Sequence, residues 1–304
     1  MKDVVLVAGG SGLVGQVLTE VLLANGYKVN WLSRNPANVR APKGVKTYGW
    51  DADNYSIDTN AFDGVSIVVN LAGQSIAGKR WTKEYKNKIL QSRVNSSLTL
   101  IKGLEESGAQ LDLFIGASAV GYYGMKLSNH RFAEDDLPGN DFLATTCIAW
   151  EKNYEKFYKH SKYVSVLRFG LILSGKGGFF PKIEKSFKLG FGVSLAPGNQ
   201  IMSIVHIEDV VRFIFYLIQN PEKSSVYNVV SDIQPTYDEM AKTIAKHFGK
   251  PLLPFRVPVW LLNLFLGEQH KMLTTGVAIN NDKLKNAGFN LKYFRLVDAL
   301  QNLI

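Results

Sequence analysis

VVLVAGGSGLVGQVLTEVLLANGYKVNWLSRN, residues 4–35, decides how the rest of the chain is read. Residues 4–8 form a short apolar run, the pattern of a parallel strand buried on both faces. Gly9-Gly10-Ser11-Gly12-Leu13-Val14-Gly15 follows and contains both Gly9-x-x-Gly12-x-x-Gly15 and Gly10-x-Gly12-x-x-Gly15. Leu13, Val17, Val21 and Leu22 then recur at helical spacing until Asn25-Gly26 stops the pattern. Residues 27–32 alternate, with Tyr27, Val29 and Trp31 on one face, as a second strand does.

Strand, glycine turn, helix and strand, in that order, is the context in which such a turn holds a dinucleotide. Gly9 and Gly10 permit the tight turn, Gly12 lets the backbone approach a pyrophosphate, and Gly15 lets the helix pack close to the strand. Ser11, Leu13 and Val14 stand at the start of the helix, where free N–H groups and the positive dipole end favour phosphate. The end of the second strand sets the choice of dinucleotide. An NAD site places an acid there for the ribose 2′-hydroxyl, whereas this chain has Ser33 followed by Arg34, which suits a 2′-phosphate. NADP(H) is therefore expected in preference to NAD(H). The plainer reading of Arg34 is a surface side chain beside the Asn35-Pro36 turn.

Composition bounds the rest. The 304 residues are 46% hydrophobic and 20% charged, enough for a sizeable core and too apolar for disorder. One cysteine, Cys147, excludes an intrachain disulfide and points to a reducing compartment. No signal-peptide plan is visible at the N-terminus, and the longest apolar run, residues 257–266, is too short to span a bilayer. A soluble, cytoplasmic protein without a membrane partner is expected. The net charge of +9 suits an anionic ligand such as a dinucleotide, while the scattered lysines argue against nucleic acid.

Further strands are expected over residues 45–50, 65–71, 112–118, 163–169 and 226–230, and helices over 81–107, 142–160, 209–219 and 237–248. Strands alternating with helices predict an α/β fold, a Rossmann-like doubly wound parallel sheet with its ligand crevice at the carboxyl ends of the strands. The second of these strands runs into Leu71-Ala72-Gly73, small enough to let a cofactor lie close. A proline-marked break at residues 250–255 divides residues 1–249, with substrate-side segments mainly in 170–235, from a smaller, mainly helical region, 250–304.

With these pieces in place the chain resembles the extended short-chain dehydrogenases/reductases, which include nucleotide-sugar epimerases and dehydratases. The matching stretches are the glycine turn, Asn70-Leu71-Ala72-Gly73, Ser118-Ala119-Val120-Gly121-Tyr122-Tyr123-Gly124, Glu134, Arg168 and Val205-His206-Ile207-Glu208-Asp209. It is similar in particular to an epimerase-like subgroup with Gly78-Lys79-Arg80-Trp81, Ser92-Arg93, Cys147-Ile148-Ala149-Trp150-Glu151 and a C-terminal domain of unknown function. The resemblance implies an NAD(P)-binding oxidoreductase or epimerase acting on a small, nucleotide-linked substrate. Relatives labelled cell-division inhibitors imply the alternative, a dinucleotide-binding regulatory protein without a reaction.

The same resemblance exposes a departure. The superfamily uses a tyrosine activated by a lysine one helical turn on. In that frame this chain has Leu143 and Cys147. Tyr122-x-x-x-Lys126 and Tyr158-x-x-x-Lys162 occur elsewhere, the first on a loop and the second at the wrong end of the sheet. Ser118, Tyr122 and Tyr123 are the candidates for catalytic roles; the alternatives are small-residue packing for Ser118 and aromatic packing for the tyrosines. Arg80, Arg93 and Lys182 are candidates for gripping a substrate anion, or else for ion pairs on the surface. One pocket is expected between residues 74–81, 118–124 and 177–202, lined by Phe179, Phe180 and Phe191. Asp209 reads as a helix cap and His206 as a packed core residue. No metal-ligand spacing links the histidines and Cys147.

Overall fold

The computed structural model describes residues 3–303. In chain order it contains β1 (Val4–Ala8), α1 (Leu13–Ala24), β2 (Lys28–Ser33), β3 (Val45–Asp51), β4 (Ser56–Ile57), β5 (Val65–Asn70), α2 (Lys83–Ser107) and β6 (Leu111–Ala119). Then come β7 (Leu127–Phe132), α3 (Phe142–Tyr154), β8 (Ser161–Phe169), β9 (Leu171–Leu173), α4 (Phe180–Lys188), β10 (Ser194–Leu195), β11 (Ile204–His206), α5 (Ile207–Gln219), β12 (Val226–Val229) and α6 (Tyr237–His247). The last part carries β13 (Arg256–Val257), α7 (Val259–Leu266), α8 (Lys271–Thr274), β14 (Gly276–Ile279), α9 (Asp282–Asn286) and α10 (Leu296–Leu303).

Eight strands form one sheet in the order β12-β8-β6-β5-β1-β2-β3-β4, all parallel except β4, which runs against β3. The chain steps one way from β1 to β3 and the other way from β5 to β12. Because crossovers are right-handed, α1 and α2 fall on opposite faces. The contacts agree: α1 packs with α5, and α2 with α3. The strand order reverses between β1 and β5, so the crevice opens where the glycine turn meets the loop after β5. The inner strands are apolar throughout, which is why they occupy the centre, and Val5, Leu6, Val7, Val68 and Ile115 are fully buried.

Local chemistry sets the helix ends. Thr82 caps α2 by accepting from the Tyr85 N–H, and Gly108, with φ +67°, ends it in the left-handed region. The Asp141 carboxylate accepts from the N–H groups of Leu143 and Ala144 at the start of α3. Thr236 and Glu239 form a reciprocal capping box on α6. The helix expected over 142–160 is α-helical only to Tyr154 and then tightens into a 3₁₀ turn to Lys159.

Three short parallel pairs stand outside the main sheet: β9 with β11, β10 with β13, and β7 with β14. Two of them tie the region after residue 250 to earlier segments. Leu284 and Phe289 join the main core beside Phe213, while Leu296 and Leu300 share a second core with Phe180, Met240 and Ile244. No helix among the described residues is long and apolar enough to cross a membrane.

Candidate functional site

The turn between β1 and α1 is shaped by steric necessity. Gly9 has φ +85°, and a Cβ there would lie 2.9 Å from the Leu71 carbonyl group on the neighbouring strand end. A Cβ on Gly15 would come within 2.3 Å of the Gly9 carbonyl oxygen, so only glycine lets α1 approach the turn. Gly10 differs from expectation: its φ is not positive, and its missing side chain makes room for the Trp31 indole, 2.4 Å from where a Cβ would be. That indole donates to Thr19 Oγ1, which donates in turn to the Gly15 carbonyl, locking β2 to the first turn of α1. Gly12 is the open member of the set, where a Cβ would meet only the Gly9 carbonyl oxygen. It caps α1 without a side-chain acceptor, so the N–H groups of Leu13, Val14 and Gly15 have no partner among the described residues. Together these form a concave, donor-lined anion cradle with Ser11 at its rim.

At the end of β2, Ser33 Oγ accepts from the Asn35 N–H. Arg34 is exposed and makes no hydrogen bond or ion pair among the described residues, although its charge helps to lower the Asp51 carboxyl at the end of β3. Across the switch point, Leu71 and Ala72 lie beside Gly9, and Gly73 opens toward Arg93 on α2. The residues expected to hold a dinucleotide thus converge on one end of the sheet.

The expected catalytic set fares differently. Tyr123 is wholly buried, and its hydroxyl donates to Asn228 Oδ1 at 2.8 Å while accepting from Arg168 Nη1 at 2.9 Å. Burial pushes its phenol up to about 12, against the opposing pull of Arg168. This corrects its reading as a proton donor: it is a core residue fixed between β6, β8 and β12. Ser118 is also corrected as a donor to substrate, because it is buried and its hydroxyl is given to Glu151 Oε1 at 2.6 Å. Tyr122 is half-buried, edge-on to Tyr123, with the Arg168 guanidinium 3.5 Å from its ring centroid, and its own hydroxyl has no hydrogen-bond partner among the described residues. It stays the better placed of the two tyrosines.

Behind these residues runs a buried polar chain. Arg168, 4% exposed, grips Glu151 through Nε and Nη2 at 2.9 and 2.8 Å. Burial works against the Arg168 charge, but the hydrogen bond and charge of Glu151 outweigh it and hold the guanidinium ionised. Arg168 Nη1 also donates to the Glu134 carbonyl oxygen, and Glu134 Oε1 accepts from the Asn228 N–H. Burial raises the Glu134 carboxyl above its ordinary range. On α3, Leu143 and Cys147 share one face, both within 4 Å of a Cβ position on Gly121. The Cys147 thiol is buried against the Ala119 carbonyl and is pushed up to about 12, by burial first and the Glu151 charge second, so it is a neutral thiol.

The three basic candidates separate. Arg93 is half-buried against Trp150, with its guanidinium carbon 4.9 Å from the ring centroid. Arg80 is exposed beside Gly267 and lines a shallow groove of about 680 Å³ with Lys79, Thr82, Glu84, Tyr85, Asn87 and Lys88. Lys182, also exposed, reaches the Ala77 carbonyl at 3.5 Å. A second cavity of about 220 Å³ lies between α1 and the Lys176-Gly177 loop. Neither matches the three-sided pocket expected from sequence, although Ile76, Met125 and Leu143 do pack together where two of its sides meet. Phe180 is fully buried in the second core and Phe191 is 65% exposed, so they do not form one lining.

His206, not Asp209, caps α5: its ring accepts from the Glu208 N–H. Asp209 lies one turn in, fully buried, and accepts from the backbone N–H groups of Lys292 and Tyr293, both at 2.8 Å. Two residues were missed in the sequence. Asn228 is an isolated polar residue in the apolar run 226–230, and that isolation is what marks a buried hydrogen-bonding partner, whereas Glu151 opens the polar stretch Glu151-Lys152-Asn153 and nothing local singles it out.

Comparison with known proteins follows the geometry. Residues 5–230 match the model of the NAD dependent epimerase/dehydratase family, and residues 257–303 match a domain of unknown function, DUF1731. An epimerase family protein of Staphylococcus haemolyticus is 30% identical over 299 residues, covering 98% of each chain. The human epimerase family protein SDR39U1, solved with NADPH, shares the fold at a TM-score of 0.85 and 24% identity over 99% of this chain and 98% of that one. A nucleoside-diphosphate sugar epimerase from Corynebacterium glutamicum superposes at a TM-score of 0.78 and 25% identity, over all of this chain and 58% of that one. By its glycine cradle, its sheet order and these matches, the chain belongs to the NAD-dependent epimerase/dehydratase family.

Proposed function

We propose that the chain is an NADP(H)-binding, epimerase-like oxidoreductase acting on a small, nucleotide-linked substrate, with residues 1–249 carrying the dinucleotide and residues 250–304 packed on them. The observation that carries this reading is the cradle at Gly9, Gly10, Ser11, Gly12, Leu13, Val14 and Gly15, with three N–H groups unpartnered among the described residues and a Gly12 whose Cβ would crowd only the Gly9 carbonyl oxygen, at 3.1 Å. Those groups would hold a pyrophosphate, Ser33 and Arg34 the adenosine ribose and its 2′-phosphate, and Leu71, Ala72 and Gly73 the floor on the far side. A nicotinamide bound there supplies hydride transfer. The protein's share is to fix the geometry: the Trp31–Thr19–Gly15 chain holds the cradle rigid, and the Ser118–Glu151–Arg168 chain holds the end of β6 against α3. Tyr122, Arg80 and Lys182 remain the substrate-side candidates reachable from solvent. The NADPH bound by the human relative and the name of the Corynebacterium relative support cofactor and substrate class respectively.

The test is a titration of NADPH and NADH against the pure protein. NADPH is expected to bind at least about tenfold more tightly, the scale of one charge-assisted contact, and Arg34→Ala to remove most of that preference. Equal affinities in the unmodified protein would overturn the cofactor assignment.

A second reading, a dinucleotide-binding regulatory protein, is favoured by one observation: the positions framed for the tyrosine and lysine are Leu143 and a neutral Cys147. Mass spectrometry of whatever copurifies discriminates the two. Dinucleotide alone favours regulation; dinucleotide with a second small molecule favours catalysis.

A further inference from the structure

Arg93 is a cation without a counter-ion. No carboxylate among the described residues lies within ion-pair distance of it. Its Nη1 donates to two backbone carbonyls, Gln74 at 3.1 Å and Ile89 at 3.0 Å. Nε and Nη2 have no hydrogen-bond partner among the described residues. The unused pair is the edge with which a guanidinium grips a two-oxygen anion side-on. The nearest carboxylate on α3, Glu151, is already taken by Arg168 and Ser118. The acidic hydrogens around Arg93 stay in place: the Cys147 thiol and Tyr154 phenol are both raised by burial, and the Tyr85 hydroxyl donates to the Ser75 carbonyl. Burial accordingly presses on the guanidinium charge, and against it the chain sets two backbone carbonyls and the Trp150 ring but no carboxylate.

The side chain is also held in place. Trp150 lies under its guanidinium carbon, two carbonyls fix Nη1, and a Cβ on Gly73 would lie 3.3 Å from that carbon. Glycine at 73 thus leaves room for the arginine at the end of β5. Its position separates it from the pyrophosphate cradle. Gly9 faces Leu71 and Ala72 from the β1 side, whereas Arg93 lies beyond Gly73, against Gln74 on one side and the Trp150 of α3 on the other.

We infer that Arg93 is the residue that holds an oxyanion of the substrate, a carboxylate or phosphoryl group bound bidentately by its Nε–Nη2 edge. The inference rests on the dinucleotide-binding reading above and narrows its substrate to an anionic one. Arg93 presents a fixed, part-desolvated fork, while Arg80 and Lys182 are exposed and suit the mouth of the site.

The probes are malonate and inorganic phosphate, added to NADPH-saturated protein, with sodium chloride at equal ionic strength as reference. Melting temperature and calorimetric titration report binding, and nicotinamide fluorescence reports NADPH affinity separately. At least one probe is expected to raise the melting temperature beyond chloride. Arg93→Met should weaken that probe by about tenfold or more, and Arg93→Lys, which keeps the charge but not the fork, should fall between. Lys102→Met, on the exposed face of the same helix, should behave as the unmodified protein. NADPH affinity of Arg93→Met should stay within about threefold. Malonate selectivity would assign a carboxylate, and phosphate selectivity a phosphoryl group. The inference is overturned if neither probe exceeds chloride, if Arg93→Met binds the probe unchanged, or if it loses NADPH by about tenfold while the probe is unaffected, which would give Arg93 to the cofactor. Failure of the unmodified protein to bind NADPH at all would instead bring down the dinucleotide reading.

Discussion

Glu151→Gln tests how the end of β6 is held. The substitution keeps an oxygen for Ser118 but places an amide NH₂ opposite Arg168 Nη2, two donors where there was a charged pair. Arg168 is 4% exposed and Glu151 13%, so water cannot compensate the stranded guanidinium. Breaking one side of such a pair costs about 3–5 kcal/mol. Set against a typical domain stability of about 5–15 kcal/mol, the variant should be folded but severely weakened. Arg168→Met should cost a similar amount, since it strands the Glu151 carboxylate and removes the partner of the Tyr123 hydroxyl. The double variant strands neither charge. Its loss should fall short of the sum of the two single losses by about 2 kcal/mol or more. Urea unfolding followed by tryptophan fluorescence at neutral pH gives all three numbers, and 0.5 M salt should change the coupling little because the pair is buried. Losses that add to within about 0.5 kcal/mol would refute the coupled-pair account.

Two further outcomes follow from groups already described. Tyr123→Phe should cost about 1–3 kcal/mol by leaving Arg168 Nη1 and Asn228 Oδ1 short of a partner, with NADPH affinity unchanged; loss of NADPH binding at unaltered stability would restore Tyr123 to the site. His206 is buried beside Asp209, Glu208 and Lys292, and burial lowers its folded pKa below the ordinary 6.5. The unfolded chain therefore takes up the proton first, so stability should fall as pH drops below 6.5 toward the folded value, by at most about 1.4 kcal/mol per pH unit for this group. His206→Asn keeps a capping side chain but does not titrate, and should flatten that slope; an unchanged slope between pH 7 and 5 in urea titrations would remove His206 as its source.

Much of the architecture is legible in the sequence because it rests on local signals. The strands β1, β5, β6 and β8 are runs of apolar, β-branched residues, and the Gly9–Gly15 turn can be read only one way between a strand and a helix. The small pairs β7–β14 and β10–β13 are not legible, because each strand is short and its partner lies far along the chain. The site divides along the same line. The cradle glycines recur at a spacing set by the close approach of turn, strand and helix, which is local enough to read. Ser118 lies near the end of β6 and Tyr123 in the turn after it, and no local pattern says whether a hydroxyl there faces a ligand or a buried polar partner. Gly10 shows the same limit: its neighbour in space is Trp31, which no spacing within the turn reveals. The position of Asp209 reads as a cap because caps are local, whereas its partners are the Arg212 guanidinium one turn on and the N–H groups of residues 292 and 293.

The pairing of β7 with β14 has a consequence for synthesis. Residues 127–132 must wait for residues 276–279 before their edge is covered. Nearly 150 residues separate the two strands, and at about 5–20 residues per second that is roughly seven to thirty seconds of elongation. During that interval the nascent chain holds a finished glycine cradle and an open strand edge close to the tyrosine loop. Asp209 waits longer still, a buried carboxylate with no backbone to bind until residue 293 has emerged. The last fifty residues thus act as a clasp, and a chain that ends before them leaves the β7 edge open to strand addition by its neighbours.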